Sequence, residues 1–188
     1  DVRSMHNVGA IYRTADAAGF ATVICSGYSG APPDPRIAKV ALGAEHALHT
    51  EVASDLATLI ARLDRSVVVV LEQHPSSTSL SDLATALPAA IAAAPDPHPE
   101  VALIACGELT GAPPELVSRA DLVLELPMRG DKESLNVSVA FGIAAYAVAD
   151  ACAPFSTDDL RSRSAPRPVR DGVLTRGVTT GETPRTRA

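Results

Sequence analysis

The chain has almost no aromatic residues. Trp is absent, and three Tyr and three Phe make up 3% of its 188 residues, so Ala, Val, Leu and Ile must fill the interior of what length alone suggests is one domain. Cysteine is scarce too: Cys25, Cys106 and Cys152 lie far apart and form no CxxC pair. That spacing argues against a disulfide frame or a cysteine-based metal site and fits reduced thiols in the cytoplasm. No apolar run of about 18 residues exists, which argues against a membrane span. The start, DVRSMHNVGA, lacks the apolar centre of a signal peptide and an initiator Met, so a few preceding residues are expected. No GxGxxG follows a strand-like run, and neither GxxxxGK[ST] nor GxSxG occurs, which leaves out the dinucleotide fingerprint, the P-loop and the nucleophile elbow. His46 and His49 fit one helical face but have no cysteine beside them, so solvated surface histidines are expected and no metal.

The charge is unevenly spread. The net charge of −6 divides into −11 for residues 1–159 and +5 for residues 160–188, where seven Arg face two acids. The Arg/Pro-rich stretch from 154 to 188 has no apolar period and reads as a disordered tail, either RNA-binding or merely solubilising.

The body alternates two patterns. ATVIC (21–25), SVVVVLE (66–72), VALIAC (101–106) and DLVLELP (121–127) are apolar, β-branched runs suited to buried parallel strands. Helical spacing predicts helices over 6–18, 34–43, 54–63, 113–119 and 134–151. The Ala/Pro-rich stretch 86–100 reads as an insertion, or as a loose helix followed by a linker. This alternation predicts an α/β parallel sheet with helices on both faces. Ligands in such sheets sit beyond the carboxyl ends of the strands, so the turns EQHPSS, GELTGAPPE and PMRGDKESLN are expected to form one pocket. In the last of these, Ser134 is well placed to cap the following helix, which leaves Asn136 unexplained. Leu135, Val139, Ile143 and Tyr146 recur at helical spacing, suited to burial in the core or against another subunit.

Three segments carry a resemblance. HNVGAIYRTADAAGF (6–20), GELTGAPPELVSRADLVLELPM (107–128) and RGDKESLNVSVAFGIAAY (129–146) are similar, in order and separation, to the three motifs of the SpoU or TrmH-like branch of the SPOUT RNA methyltransferases. LGAEH (42–46) and VLEQ (70–73) resemble a subset of that branch. The resemblance covers residues 1 to about 152 and implies a SPOUT domain over 1–153 with a C-terminal deep trefoil knot, a rare exception to ordinary connectivity. It also implies a homodimer, S-adenosylmethionine as methyl donor and a ribose 2′-hydroxyl of tRNA or rRNA as acceptor.

The resemblance assigns catalytic roles to Asn7, Arg13, Glu108, Ser134 and Asn136. An arginine stays protonated, so Arg13 is expected to position and stabilise charge rather than to act as a literal base; otherwise it is a surface arginine beside Asp16. Glu108 would hold the active-site network, or else is an ordinary acid near a helix start. Leu71, Cys106, Gly107, Gly111, Leu126, Met128, Ser134 and Leu135 fall where the family lines its donor pocket. The second motif departs from its usual Gly-Asn-Glu-Gly-x-Gly: CGELTG puts Cys106 at its first Gly and Leu109 at another. That departure sets a second reading beside the enzyme, a non-catalytic knotted RNA-binding or dimerisation module with weakened donor binding.

Overall fold

Every strand pair in the computed structural model is parallel. The structure describes residues 1–107 and 110–154. The elements run α1 (Met5–Ala18), β1 (Thr22–Ser26), α2 (Pro35–Ala41), α3 (Ala44–Ala47), β2 (His49–Ala53), α4 (Leu56–Arg62), β3 (Ser66–Leu71), β4 (Thr78–Ser79), α5 (Leu83–Ala93), β5 (Glu100–Ala105), α6 (Pro114–Arg119), β6 (Leu122–Glu125) and α7 (Val137–Cys152). Four strands form one sheet in the order β4-β6-β3-β5, and β1 and β2 form a separate pair.

β3 is the centre of the larger sheet, and its sequence shows why. SVVVVL supplies an apolar side chain to both faces, as a parallel strand covered on two sides requires. Side chains alternate across a strand, so Val67 and Val69 join one core with Leu83, Leu87, Ala144 and Val148 of α5 and α7. Val68 and Val70 point the other way, into a core with Leu59 of α4 and Leu116 of α6. A third core, around Tyr12, Ile37 and Phe141, joins α1, α2 and α7. The expected sheet with helices on both faces is therefore present.

Side-chain ties hold the layers in register. Arg119 at the end of α6 donates to the carbonyls of Leu63 and Ser66 (2.5 and 3.0 Å), while Asp121 accepts from the Val68 N–H at 2.7 Å. Arg62 of α4 reaches Glu51 on β2 at 2.8 Å and Glu100 on β5 at 3.0 Å.

Local chemistry sets the helix ends. Ser4 caps α1, accepting from Asn7 N–H, and Gly19 stops it in the left-handed region at φ 86°. The helix expected over 34–43 ends early, because Leu42 and Gly43 both take positive φ (54° and 96°) and break it into α2 and α3.

Three sequence expectations are corrected. His46 and His49 do not share a helix: Leu48 turns extended after α3, and His49 opens β2, a strand too polar to stand out in the sequence. Of the two readings of 86–100, a helix followed by a linker is present, but with different bounds. Its helix starts earlier, at Leu83, and buries Leu83 and Leu87 against the sheet, while Glu100 already belongs to β5. Finally, the core face of α7 is Val137, Phe141, Ala144, Ala145 and Val148. The stripe read from the sequence, Leu135, Val139, Ile143 and Tyr146, lies on the outside, 39–51% exposed.

Candidate functional site

The carboxyl ends of β3, β5 and β6 open into one cleft of about 290 Å³, at the small end of ligand-sized clefts (about 300–1,000 Å³). The three turns expected to meet there do so.

A carboxylate organises the meeting. Beyond β3, Glu72 accepts hydrogen bonds from the backbone N–H of Gln73 (3.0 Å) and of Ala112 (2.6 Å). The second bond draws the loop after β5 across the end of β3. Gly111 makes the approach possible: it sits at φ 64°, and a Cβ there would meet Glu72 Oε2 at 2.7 Å. Gln73 then ties in the third turn, its Nε2 donating to the Glu133 carbonyl at 2.6 Å.

Beyond β6 the chain passes Leu126 and Met128 and reaches α7 through Ser134 and Leu135. All eight residues expected to line a donor pocket, Leu71, Cys106, Gly107, Gly111, Leu126, Met128, Ser134 and Leu135, border this cleft. Glu72, Gln73, Glu133, Val137 and Ala140 border it too. Of these, Glu72 and Gln73 were marked in the sequence by the strand-end turn EQHPSS and by VLEQ, whereas Val137 and Ala140 were not assigned to the pocket.

Cys106 forms part of the wall as an uncharged thiol. Burial lifts its pKa to about 11, and Glu72 adds to the rise.

At the entrance to α7 the sequence expectation is corrected. The cap is Asn136, not Ser134, and the helix starts at Val137. Asn136 Oδ1 accepts from Ser138 N–H (3.0 Å) and from Ser138 Oγ (2.7 Å). Asn136 Nδ2 is left to donate to Asn7 Oδ1 of α1 at 3.2 Å. One amide side chain thus ends the loop, starts the helix and joins the first and third motifs. Asn7 is itself buried, 7% exposed, and Ser134 stands at the exposed rim of the cleft.

The other expected catalytic residues are placed differently. Arg13 lies further along α1, exposed, and does not border the cleft. It makes no ion pair with Asp16, so the surface-pair alternative for it is not what the structure holds. Glu108 and Leu109 lie outside the described residues, as does the stretch 155–188.

The apolar walls (Leu71, Leu126, Met128, Leu135) and the rim hydroxyl of Ser134 suit a ligand with an apolar body and a polar end. Among the described residues, no group of three or more His, Cys, Asp or Glu is placed to hold a metal ion, and no helix is long and apolar enough to cross a membrane.

Comparison with known proteins gives this arrangement relatives. The family model of the SpoU rRNA Methylase family matches residues 1–146. The chain is 33% identical over 145 residues to the 23S rRNA (guanosine-2'-O-)-methyltransferase RlmB of Acinetobacter baylyi, which is 77% of this chain and 55% of that protein. Its fold superposes on the AdoMet-bound rRNA methyltransferase of Sinorhizobium meliloti with a TM-score of 0.66 and 27% identity, covering 81% of this chain and 54% of that one. It superposes on the A. aeolicus TrmH/SpoU tRNA modifying enzyme with a TM-score of 0.63 and 25% identity, covering 80% of this chain and 71% of that one. The chain spans about half the length of the curated relatives it matches. Its three motifs, its parallel sheet and the match over residues 1–146 make it a member of the SpoU rRNA methylase family.

Proposed function

We propose that this chain is the methyltransferase domain of an RNA 2′-O-ribose methyltransferase that uses S-adenosylmethionine and acts on tRNA or rRNA. The observation that carries the reading is the cleft at the carboxyl ends of β3, β5 and β6, bordered by eight residues of the family's donor-pocket positions. When bound, S-adenosylmethionine supplies an electrophilic methyl group on its sulfonium.

The chain's own groups do the rest. Leu71, Leu126, Met128 and Leu135 present apolar surface to an adenine-sized ring. Ser134 offers a hydroxyl at the rim. The Asn7–Asn136 bond fixes the start of α7 against α1, so the donor wall and the first motif keep one geometry. Arg13 supplies a fixed positive charge to the acceptor's phosphate or developing alkoxide, a positioning and electrostatic role rather than that of a base. Glu108 is assigned to the same network.

The reading includes the trefoil knot, a homodimer joined through the outer stripe of α7, and a cytoplasmic location. The stripe of exposed apolar residues supports the dimer, and three cysteines without a disulfide among the described residues support the location. The Arg-rich segment 160–188 is assigned to RNA binding, because the rest of the chain is acidic.

One observation favours a second reading, a non-catalytic module. Cys106 occupies the wall where a glycine would leave more room for the donor. Calorimetry with S-adenosylmethionine separates the two: saturable binding is expected, and no binding at millimolar donor would refute the enzyme. Mapping 2′-O-methyl sites in tRNA and rRNA from cells with and without the gene identifies the acceptor.

A further inference from the structure

β3 runs out into two consecutive polar residues, Glu72 and Gln73, that methyl transfer does not itself require. The strand lies between β6 and β5, so its end lies between the two loops that wall the cleft, one after each neighbour. Leu71 is in register with both Ala105 and Leu124, and the next N–H, that of Glu72, still donates to the Leu124 carbonyl at 3.1 Å. Both side chains therefore start from backbone that the sheet holds in place.

From there they part. Glu72 takes the loop after β5: Oε2 accepts from the Ala112 N–H at 2.6 Å and Oε1 from the Gln73 N–H, so both oxygens are engaged. Gln73 takes the loop after β6, its Nε2 donating to the Glu133 carbonyl at 2.6 Å. Among the described residues, this is the only hydrogen bond that joins the segment 127–135 to another part of the chain. Yet Met128, Glu133, Ser134 and Leu135 of that segment border the cleft. A segment held at one point has many conformations to lose when a ligand packs against it.

We propose that Glu72 and Gln73 are positioning residues for the methyl donor, two arms of one brace that holds both loops at the width the donor needs before it arrives. The proposal rests on the reading of the cleft as the S-adenosylmethionine site. Loops held in advance take part of the ordering cost out of binding. The effect therefore falls on donor affinity and not on the fold, because Gln73 and the residues 129–135 beyond it are exposed. The chemistry asked of Gln73 is also specific. Its partner is a carbonyl, so a replacement serves only if it brings an N–H to the same place.

Two replacements in the full chain separate the bond from the shape. Gln73→Met is close in length and cannot donate, whereas Gln73→Lys can. An arginine-specific protease, applied without donor, reads the freedom of the segment through cleavage after the exposed Arg129. Calorimetry with S-adenosylmethionine reads donor affinity. The Met variant is expected to melt with the parent, to be cut after Arg129 about 10-fold faster and to bind the donor about 3- to 10-fold more weakly. The Lys variant is expected to bring both values back to within about 2-fold of the parent. For the other arm, Glu72→Gln leaves one oxygen for two N–H groups, and the Ala112 amide is expected to exchange about 10-fold faster.

A Met variant that behaves as the parent overturns the proposal. Equal losses in the Met and Lys variants do so as well, since shape is then the cause, and so does a melting temperature that falls in step with affinity. Unchanged exchange at Ala112 removes the Glu72 arm. A parent that binds no donor at millimolar concentration, with cleavage rates that still differ, refutes the donor reading and keeps the brace. A parent that binds, with cleavage rates that do not differ, refutes the brace alone.

Discussion

Asn136 donates through Nδ2 to Asn7 Oδ1 at 3.2 Å, a bond between residues 129 positions apart that joins the helix of the first motif to that of the third. The same side chain caps α7 through Oδ1. The two roles use different atoms, and substitution can separate them. Asn136→Ala removes both, with a loss of about 1 kcal/mol from the cap and a fall in Tm of about 2–4 °C. Asn136→Ser keeps an oxygen for the Ser138 N–H but has no amide to offer Asn7. Its thermal midpoint is expected to stay near that of the parent while methyl transfer falls at least about 10-fold. Full activity in the serine variant would reduce Asn136 to a helix cap.

Arg13 gives the opposite pattern. It is exposed and its side chain has no ion pair or hydrogen bond with any described residue, so replacing the side chain takes nothing from the fold. Arg13→Lys keeps the charge and loses the planar fork that grips a phosphate at two points. The expected outcome is an unfolding free energy unchanged to within about 0.5 kcal/mol and a loss of methyl transfer on the order of 100-fold. Parallel losses in melting and in turnover would mean that Arg13 is structural.

What the sequence made legible follows from what each element depends on. β3 could be read because SVVVVL is apolar on both faces, a property of the segment itself. β2 could not, because HTEVA is a strand only by virtue of pairing with β1. The outer stripe of α7 has a clear helical period, but period does not say which face meets the core. Ala144 and Ala145 decide that, at 0% exposure, by letting α7 pack closely where larger residues would not fit. The cleft's eight expected residues were reachable through the motifs. Glu72 was placed there only as the start of a turn; its task of receiving the Ala112 N–H arises only after the chain returns 40 residues later.

Cys106 makes a prediction with a definite sign. Its folded pKa, about 11, lies above the ordinary value of 9.0 because the thiol is buried. The unfolded chain therefore releases this proton first. The stability it contributes is complete below about pH 9 and is lost as pH rises toward 11. Urea midpoints are expected to fall over that range, and to fall less in Cys106→Ala. Cys25, whose pKa burial also raises, and Cys152 are present in both proteins, so the difference isolates Cys106. Identical pH dependence in the two would place the thiol in solvent, contrary to its position in the cleft wall.

The outer face of α7 is where the dimer reading is most exposed to test. Val139, Ile143 and Tyr146 are 51%, 41% and 47% exposed and form one stripe along α7. Apolar surface arranged in this way marks a contact with another molecule more often than a solvent face. Ile143→Asp places a charge in the middle of the stripe. Within one chain that residue is on the surface, so the far-UV spectrum is expected to be unchanged. Between two chains the carboxylate would be buried without a partner, at a penalty of several kcal/mol. Light scattering is therefore expected to give twice the chain mass for the parent and the single chain mass for the variant at micromolar concentration. A parent that is itself monomeric, or a variant that stays dimeric, would remove α7 from the interface.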